Sequence, residues 1–316
     1  MDFTPTSEQR ALIDAMRGLL SRYAGAARAQ IVLDGERHDE ELASALSDAG
    51  FVDLALADGG GPLDATLAVI ELSKALSTFN VAERLLVGPM NLGDEVPDSL
   101  VLADGDFRSP VRYGETAEVA LVVGHDEAHL VPLDRDAAQP VRSIFGFPYA
   151  RVQPRGEGRS LGEGSAARVR QWWRVAQAAE MVGAMIGARD LTLRHITDRH
   201  QFGRALGSFQ AVQHRVTEVF ISIEGARWLT LSAAWQGDPE SAAIAAGYAA
   251  RTAGSAVRDL HQVTGAIGLT TEYHLHMWTL RLEALRTELG GERAHYESFT
   301  GQWLARSTAQ SMVSVG

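Results

Sequence analysis

Residues 199–213 read Arg199-His200-Gln201-Phe202-Gly203-Arg204-Ala205-Leu206-Gly207-Ser208-Phe209-Gln210-Ala211-Val212-Gln213. An arginine stands two residues before a Gln-Phe-Gly turn, and Ser-Phe-Gln opens a new apolar helix behind it. A guanidinium is permanently charged and forks onto phosphate oxygens, while the amides at the start of a helix point at the same anion. The stretch therefore couples a cation to a helix N-terminus, a chemistry that suits a phosphate or other anion. Read as structure alone, it is a helix-turn-helix corner with a surface arginine.

Working outward, Val175, Ala179, Val182, Ile186 and Leu193 keep helical spacing after Ser165. They predict one helix of about eight or nine turns that finishes at Arg199. Phe209, Val212, Val216, Val219, Phe220 and Ile223 repeat the pattern in the next helix, and segments 240–265 and 271–288 complete four, the count of an antiparallel bundle. Trp172, Met181 and Met185 on these faces read as core rather than as chemistry.

The N-terminal third is also helical. Thr6 can cap a helix with Gln9 at the third position, placing Leu12, Met16, Leu19, Leu20 and Tyr23 on one face. A second helix fits 40–48 and stops at Gly50; after Gly59-Gly60-Gly61-Pro62 a third runs over 64–76 with Leu67, Ile70 and Leu76 inward. From Asn91 helical periodicity fades, and 119–123 and 128–133 read as two strands around the turn Gly124-His125-Asp126-Glu127. Arg159 to Gly164 reads as a glycine-rich linker. The expected organisation is mainly α with a small β insert: an N-terminal helical domain over 1–90, a reduced β domain over 91–158 and a C-terminal four-helix bundle over 159–316.

Composition narrows the function classes. The chain has 316 residues, 46% hydrophobic and 22% charged, as in an ordinary globular protein. No apolar run is as long as a membrane span, and the start Met1-Asp2-Phe3-Thr4-Pro5 lacks the basic and apolar regions of a secretory leader, which predicts a cytoplasmic protein without membrane partners. No cysteine is present, so disulfides, thiolate nucleophiles and thiolate-bound metals are excluded. A net charge of −11 argues against nucleic acid as a partner. Lys74 is the sole lysine, which leaves almost no candidate for a Schiff base.

The 199–213 stretch resembles the flavin-binding signature of the acyl-CoA dehydrogenases. A second stretch, His261-Gln262-Val263-Thr264-Gly265-Ala266-Ile267-Gly268 with Glu272 behind it, is similar to that family's Gln-x-x-Gly-Gly-x-Gly turn, with Ala266 in place of the second glycine. The resemblance implies FAD as cofactor. Arg199, Gln201, Phe202 and Gln210 would meet its pyrophosphate and adenosine end, and Gln262 and Gly265 its adenosine end, with the flavin belonging to a neighbouring subunit. It also implies a reaction in which a carboxylate removes the α-proton of an acyl-CoA thioester while the β-hydride passes to the flavin.

The resemblance further says where the base should stand, and it is missing from both places. One expected position falls at Leu289, within Thr287-Glu288-Leu289-Gly290-Gly291; the other falls at Trp173, before an Arg174 that does match. Glu288 is one residue from the first, a displacement that turns a helical side chain by about 100°. The family's flavin-covering segment, with its aromatic, hydroxylated residue and Glu-Pro pair, is also absent between Leu85 and Glu118. These departures resemble the short, non-catalytic subunit of heteromeric acyl-CoA dehydrogenases of the steroid side-chain type. There a longer subunit supplies the glutamate and most of the acyl site in an α2β2 heterotetramer. Two alternatives stay open: a self-sufficient dehydrogenase using Glu288 or Glu272, and a flavin-free structural subunit. A carboxylate-bridged metal protein would need more than the lone Glu292-Arg293-Ala294-His295, which reads as a solvated helix end.

Overall fold

The computed structural model describes residues 4–34 and 39–313, with side chains to residue 304. The leader reading at Met1-Asp2-Phe3 therefore falls outside the described residues. Helix α1 (Ser7–Tyr23) begins as its sequence predicts: Thr6 and Gln9 cap each other reciprocally. Helix α2 (Ala26–Asp34) was not anticipated, being short and only weakly amphipathic. Helices α3 (Glu40–Asp48) and α4 (Pro62–Lys74) follow the expected segments. Leu76 takes a positive φ of 59°, which ends the helical run just before the buried Ser77 and Thr78. A π-helical turn (Glu83–Val87) then leads into the one-turn α5 (Gly88–Leu92).

The β region is fuller than a single hairpin. Strands β1 (Leu100–Asp104), β2 (Val111–Arg112), β3 (Val119–Val123), β4 (Glu127–Pro132), β5 (Gln139–Val141), β6 (Tyr149–Arg151) and β7 (Arg159–Glu163) form two sheets, ordered β1-β3-β4-β7 and β2-β6-β5. The expected pair is β3 and β4, antiparallel with Leu121 opposite Leu130. The remaining strands are two to five residues long and too short to carry a readable alternation. Arg159–Glu163, expected as a linker, is itself a strand: it pairs with β4, so the β region extends past its predicted boundary.

Helix α6 (Ser165–Asp198) runs uninterrupted for 34 residues and is the axis of the molecule. Nearly every side chain from Val169 to Ala188 is buried, because α4 covers one side while later helices cover the rest. The α4–α6 crossing is set by two glycines four residues apart. A Cβ on Gly183 would strike the carbonyl of Ile70 and the Ser73 side chain, and one on Gly187 would strike Trp278 and the carbonyl of Lys74. Trp278 Nε1 donates to that same Lys74 carbonyl at 2.9 Å, so one contact ties the N-terminal helices to the C-terminal ones.

A two-strand hairpin, β8 (His200–Gln201) and β9 (Arg204–Ala205), separates α6 from α7 (Gln210–Gln236), followed by α8 (Pro239–Thr264), α9 (Leu275–Leu285) and α10 (Gly291–Val313). The four expected helices are thus α6 to α9, and among the described residues a further helix, α10, follows them. Thr287 to Gly291 break the last expected helix: Leu289, Gly290 and Gly291 all take positive φ, and α10 starts anew and packs on α8. Trp172, Met181 and Met185 are core residues, as expected. Phe220, expected inward on α7, is instead 47% exposed. No described helix is long and apolar enough to cross a membrane.

Candidate functional site

The first motif ends α6 and turns into α7. Arg199 is the C-cap of α6; its carbonyl accepts from Leu206 N at 2.8 Å, while its side chain is exposed. Phe202 and Gly203 form the hairpin tip with φ of 53° and 80°, which holds the Phe202 ring out at 89% exposure, edge-on to Phe209 at 6.2 Å. Arg204 lies over the Phe209 ring at 4.0 Å. Phe209 is the N-cap of the 27-residue α7 and supplies no side-chain cap, so the first-turn amides at Gln210 remain open to an anion. Gln201 and Gln210 are exposed beside them.

The second motif lies at the same end of the bundle. Helix α8 ends at Gly265, which takes a positive φ of 68°, and Gln262, Gly265 and Ala266 are exposed. Tyr273, just beyond, donates to the Leu191 carbonyl at 2.8 Å and sits 5.3 Å from the His195 ring, one turn before Arg199. Gly268 is glycine for packing, since a Cβ would strike Thr264. The residues fit a pyrophosphate-bearing group: an exposed guanidinium, an uncapped helix start and small residues share one surface. Glu272 is exposed on this surface as well.

A different constellation occupies a cleft of about 630 Å³ between the β sheets, α6 and the turn after α9. At its floor Arg112, on β2, meets three carboxylates. Glu180 of α6 takes both Nη atoms at 3.0 and 3.1 Å, Glu288 takes Nε at 2.9 Å, and Glu83 of the π turn stands 4.0 Å from Nη2. Trp173 Nε1 donates weakly to Glu288 at 3.4 Å. The two places where a base is expected thus converge in space. Although Glu288 is one residue off in sequence, the 3₁₀ turn rather than a continued helix carries it to the cleft wall. Arg174 does not line the cleft.

Burial pushes the carboxyl groups of both Glu83 and Glu288 up to about 7, against the pull of Arg112 and with the repulsion of Glu180. Arg112 is held well above its ordinary value, its desolvation outweighed by the surrounding carboxylates. A second buried guanidinium, Arg281, donates to the carbonyls of Gly146 and Ser77 at 2.8 Å, and Phe147 lies between the two arginines. Sequence reasoning missed Arg112, Glu83 and Glu180. No local pattern marks them, because their contacts join β2, the π turn and α6 across long stretches of chain.

His295 corrects the solvated reading of its helix end. It is fully buried, neither ring nitrogen has a partner, and burial with Arg174 nearby lowers it to about 4. No group of three or more metal-ligating side chains occurs among the described residues.

Residues 164–297 match the family model described as acyl-CoA dehydrogenase, C-terminal domain. With the fold and motifs above, the chain is similar to the acyl-CoA dehydrogenases, a family that binds FAD. It is 27% identical over 299 residues to the acyl-CoA dehydrogenase IpdE2 of Mycobacterium tuberculosis, covering 88% of this chain and 92% of that protein. The Mycolicibacterium smegmatis IpdE2 is 25% identical over 309 residues, covering 91% and 96%. Two solved structures share the fold. A steroid acyl-CoA dehydrogenase, Tcur3481-Tcur3483, has a TM-score of 0.84 at 23% identity over 97% of this chain and 100% of that one. The Mycobacterium tuberculosis ChsE4-ChsE5 complex has 0.81 at 22%, over 96% and 99%.

Proposed function

We propose that this chain is the FAD-binding partner subunit of a heteromeric acyl-CoA dehydrogenase, acting on an acyl-CoA thioester of the steroid side-chain kind. One observation carries the reading. The cofactor motif and the chain's own cleft lie at opposite ends of α6, with Trp173 and Arg199 separated by about 39 Å of helix. FAD held by Arg199 cannot lay its ring against Glu288 of the same chain, so its reacting end belongs to another subunit. The likeness to IpdE2 and to two-component steroid dehydrogenases supports the same reading.

In the complex, Arg199 and the open amides of α7 hold the pyrophosphate, Gln201, Phe202 and Gln210 flank it, and Gln262 and Gly265 meet the adenosine end. Bound FAD supplies the hydride acceptor for α,β-desaturation. This chain's part is to bind and orient the cofactor, and the longer subunit supplies the base in an α2β2 assembly. Arg199→Ala removes a charge-assisted contact worth about 1.5 to 3 kcal/mol. FAD affinity of the complex then falls roughly ten- to a hundredfold, with activity restored by excess FAD. Unchanged FAD occupancy in a folded variant would contradict the assignment.

A second reading has one observation in its favour: Glu288 lines the cleft beside Trp173, near neutrality in its proton affinity. Its ion pair with Arg112 opposes that role, since a base held on a guanidinium must first be released. Glu288→Gln in the assembled complex separates the readings. Loss of two orders of magnitude or more in turnover places the base on this chain, and smaller effects place it on the partner.

A further inference from the structure

The Arg112 cluster lies most of the length of α6 away from the residues proposed above to hold FAD, and its arrangement is unusual for a structural ion pair. A buried guanidinium is normally matched by one carboxylate, since each further buried charge must be desolvated. Here three carboxylates converge on Arg112, and among the described residues Arg281 is the other buried guanidinium.

The three are not equivalent. Glu180 is bidentate from the rigid centre of α6, and its side chain is 5% exposed. Glu83 is 2% exposed, and one of its oxygens has no partner. Glu83 and Glu288 both line the cleft, but Glu288 is the more exposed at 17%, and it stands on a short 3₁₀ turn whose next residue, Leu289, has φ 52° and ψ 30°. It holds a single donor of Arg112, the Nε, and the weak Trp173 contact. The cleft beyond is lined by apolar Leu102, Val111 and Phe145, with Ser109, Arg142 and Tyr149 among its polar groups.

We propose that this cleft binds small molecules that carry a carboxylate on an apolar body. The ligand carboxylate replaces Glu288 on Arg112 Nε, and the released Glu288 takes a proton from solvent. The exchange is carboxylate for carboxylate, so Arg112 keeps all its contacts and no buried charge is left unpaired. Glu288 can accept the proton because burial and the neighbouring carboxylates disfavour its charge, against Arg112 and the Trp173 N–H. Glu180 on α6 and Glu83 on the π turn repel it, Tyr149 of β6 and Trp173 of α6 wall it from water, and Arg281 of α9 is engaged with Gly146 and Ser77. Glu83 keeps its place beside Arg112 throughout and sees one carboxylate exchanged for another, so its own protonation is not coupled to the ligand.

Titration calorimetry of the purified full-length chain with cyclohexanecarboxylate tests this, run near pH 7.5 in two buffers of different ionisation enthalpy. The expected result is binding with uptake of most of one proton per ligand, an affinity that falls up to about tenfold per pH unit above neutrality, and no binding of cyclohexanecarboxamide. Glu288→Gln cannot take up the proton, so this variant should bind the carboxylate at least as tightly with little proton uptake. Absence of binding, equal binding of the amide, or the same proton uptake in Glu288→Gln would overturn the proposal.

Discussion

Glu83 shows how one residue records the cost of the buried cluster. Its carboxyl is raised from 4.5 to about 7, chiefly by desolvation. A raised folded-state value means that Glu83 contributes stability fully below about pH 4.5 and loses it as the pH climbs through 7. Glu83→Gln removes that loss. The variant should unfold at a temperature several degrees above wild type at pH 8, with the difference shrinking toward pH 5, in thermal melts followed by circular dichroism. A difference that does not change with pH would show that Glu83 is protonated throughout. At the same scale, the proposed cofactor residues and the cleft residues differ in how far sequence can point to them. Arg199, Gln201, Phe202 and Gln210 lie within twelve consecutive residues, so a local pattern exposes them. Arg112 sits in a two-residue strand and meets partners at Glu180 and Glu288, and such a site exists only after folding.

At the scale of elements, the long helices were legible because their apolar spacing is sustained over several turns, and α6 ends where Arg199 predicts. Helix α10 was not: after Gly290 and Gly291 its sequence is polar, and among its described side chains His295 is buried and, with Tyr296, packs against Gly247 of α8. The crossing of α4 on α6 depends on Gly183 and Gly187, whose role appears only when the second helix is in place. Gly187→Ala pushes a methyl into Trp278 and the Lys74 carbonyl and so breaks the 2.9 Å hydrogen bond between them. Overpacking of this kind costs about 1 to 3 kcal/mol. Denaturant unfolding of the variant should show that loss, and a midpoint equal to wild type would mean that the crossing relaxes freely.

For the whole molecule, the large apolar side chains left exposed are informative. Ile221, Trp228 and Trp235 recur every seven residues along α7 at 63%, 40% and 64% exposure, and Phe202, Ile267 and Leu269 are exposed at the cofactor-motif end. Such a surface accords with a chain that works inside an assembly. The missing flavin-covering segment is an expectation from the sequence, whereas the distance between the two ends of α6 needed the structure. Under the proposed function, both point to a cofactor shared between subunits. The decisive measurement is FAD content and acyl-CoA dehydrogenase turnover of this chain purified alone and after co-expression with a longer family member carrying the glutamate. The account predicts little FAD and no turnover alone, and a yellow, active complex together; full activity of the chain by itself would contradict it.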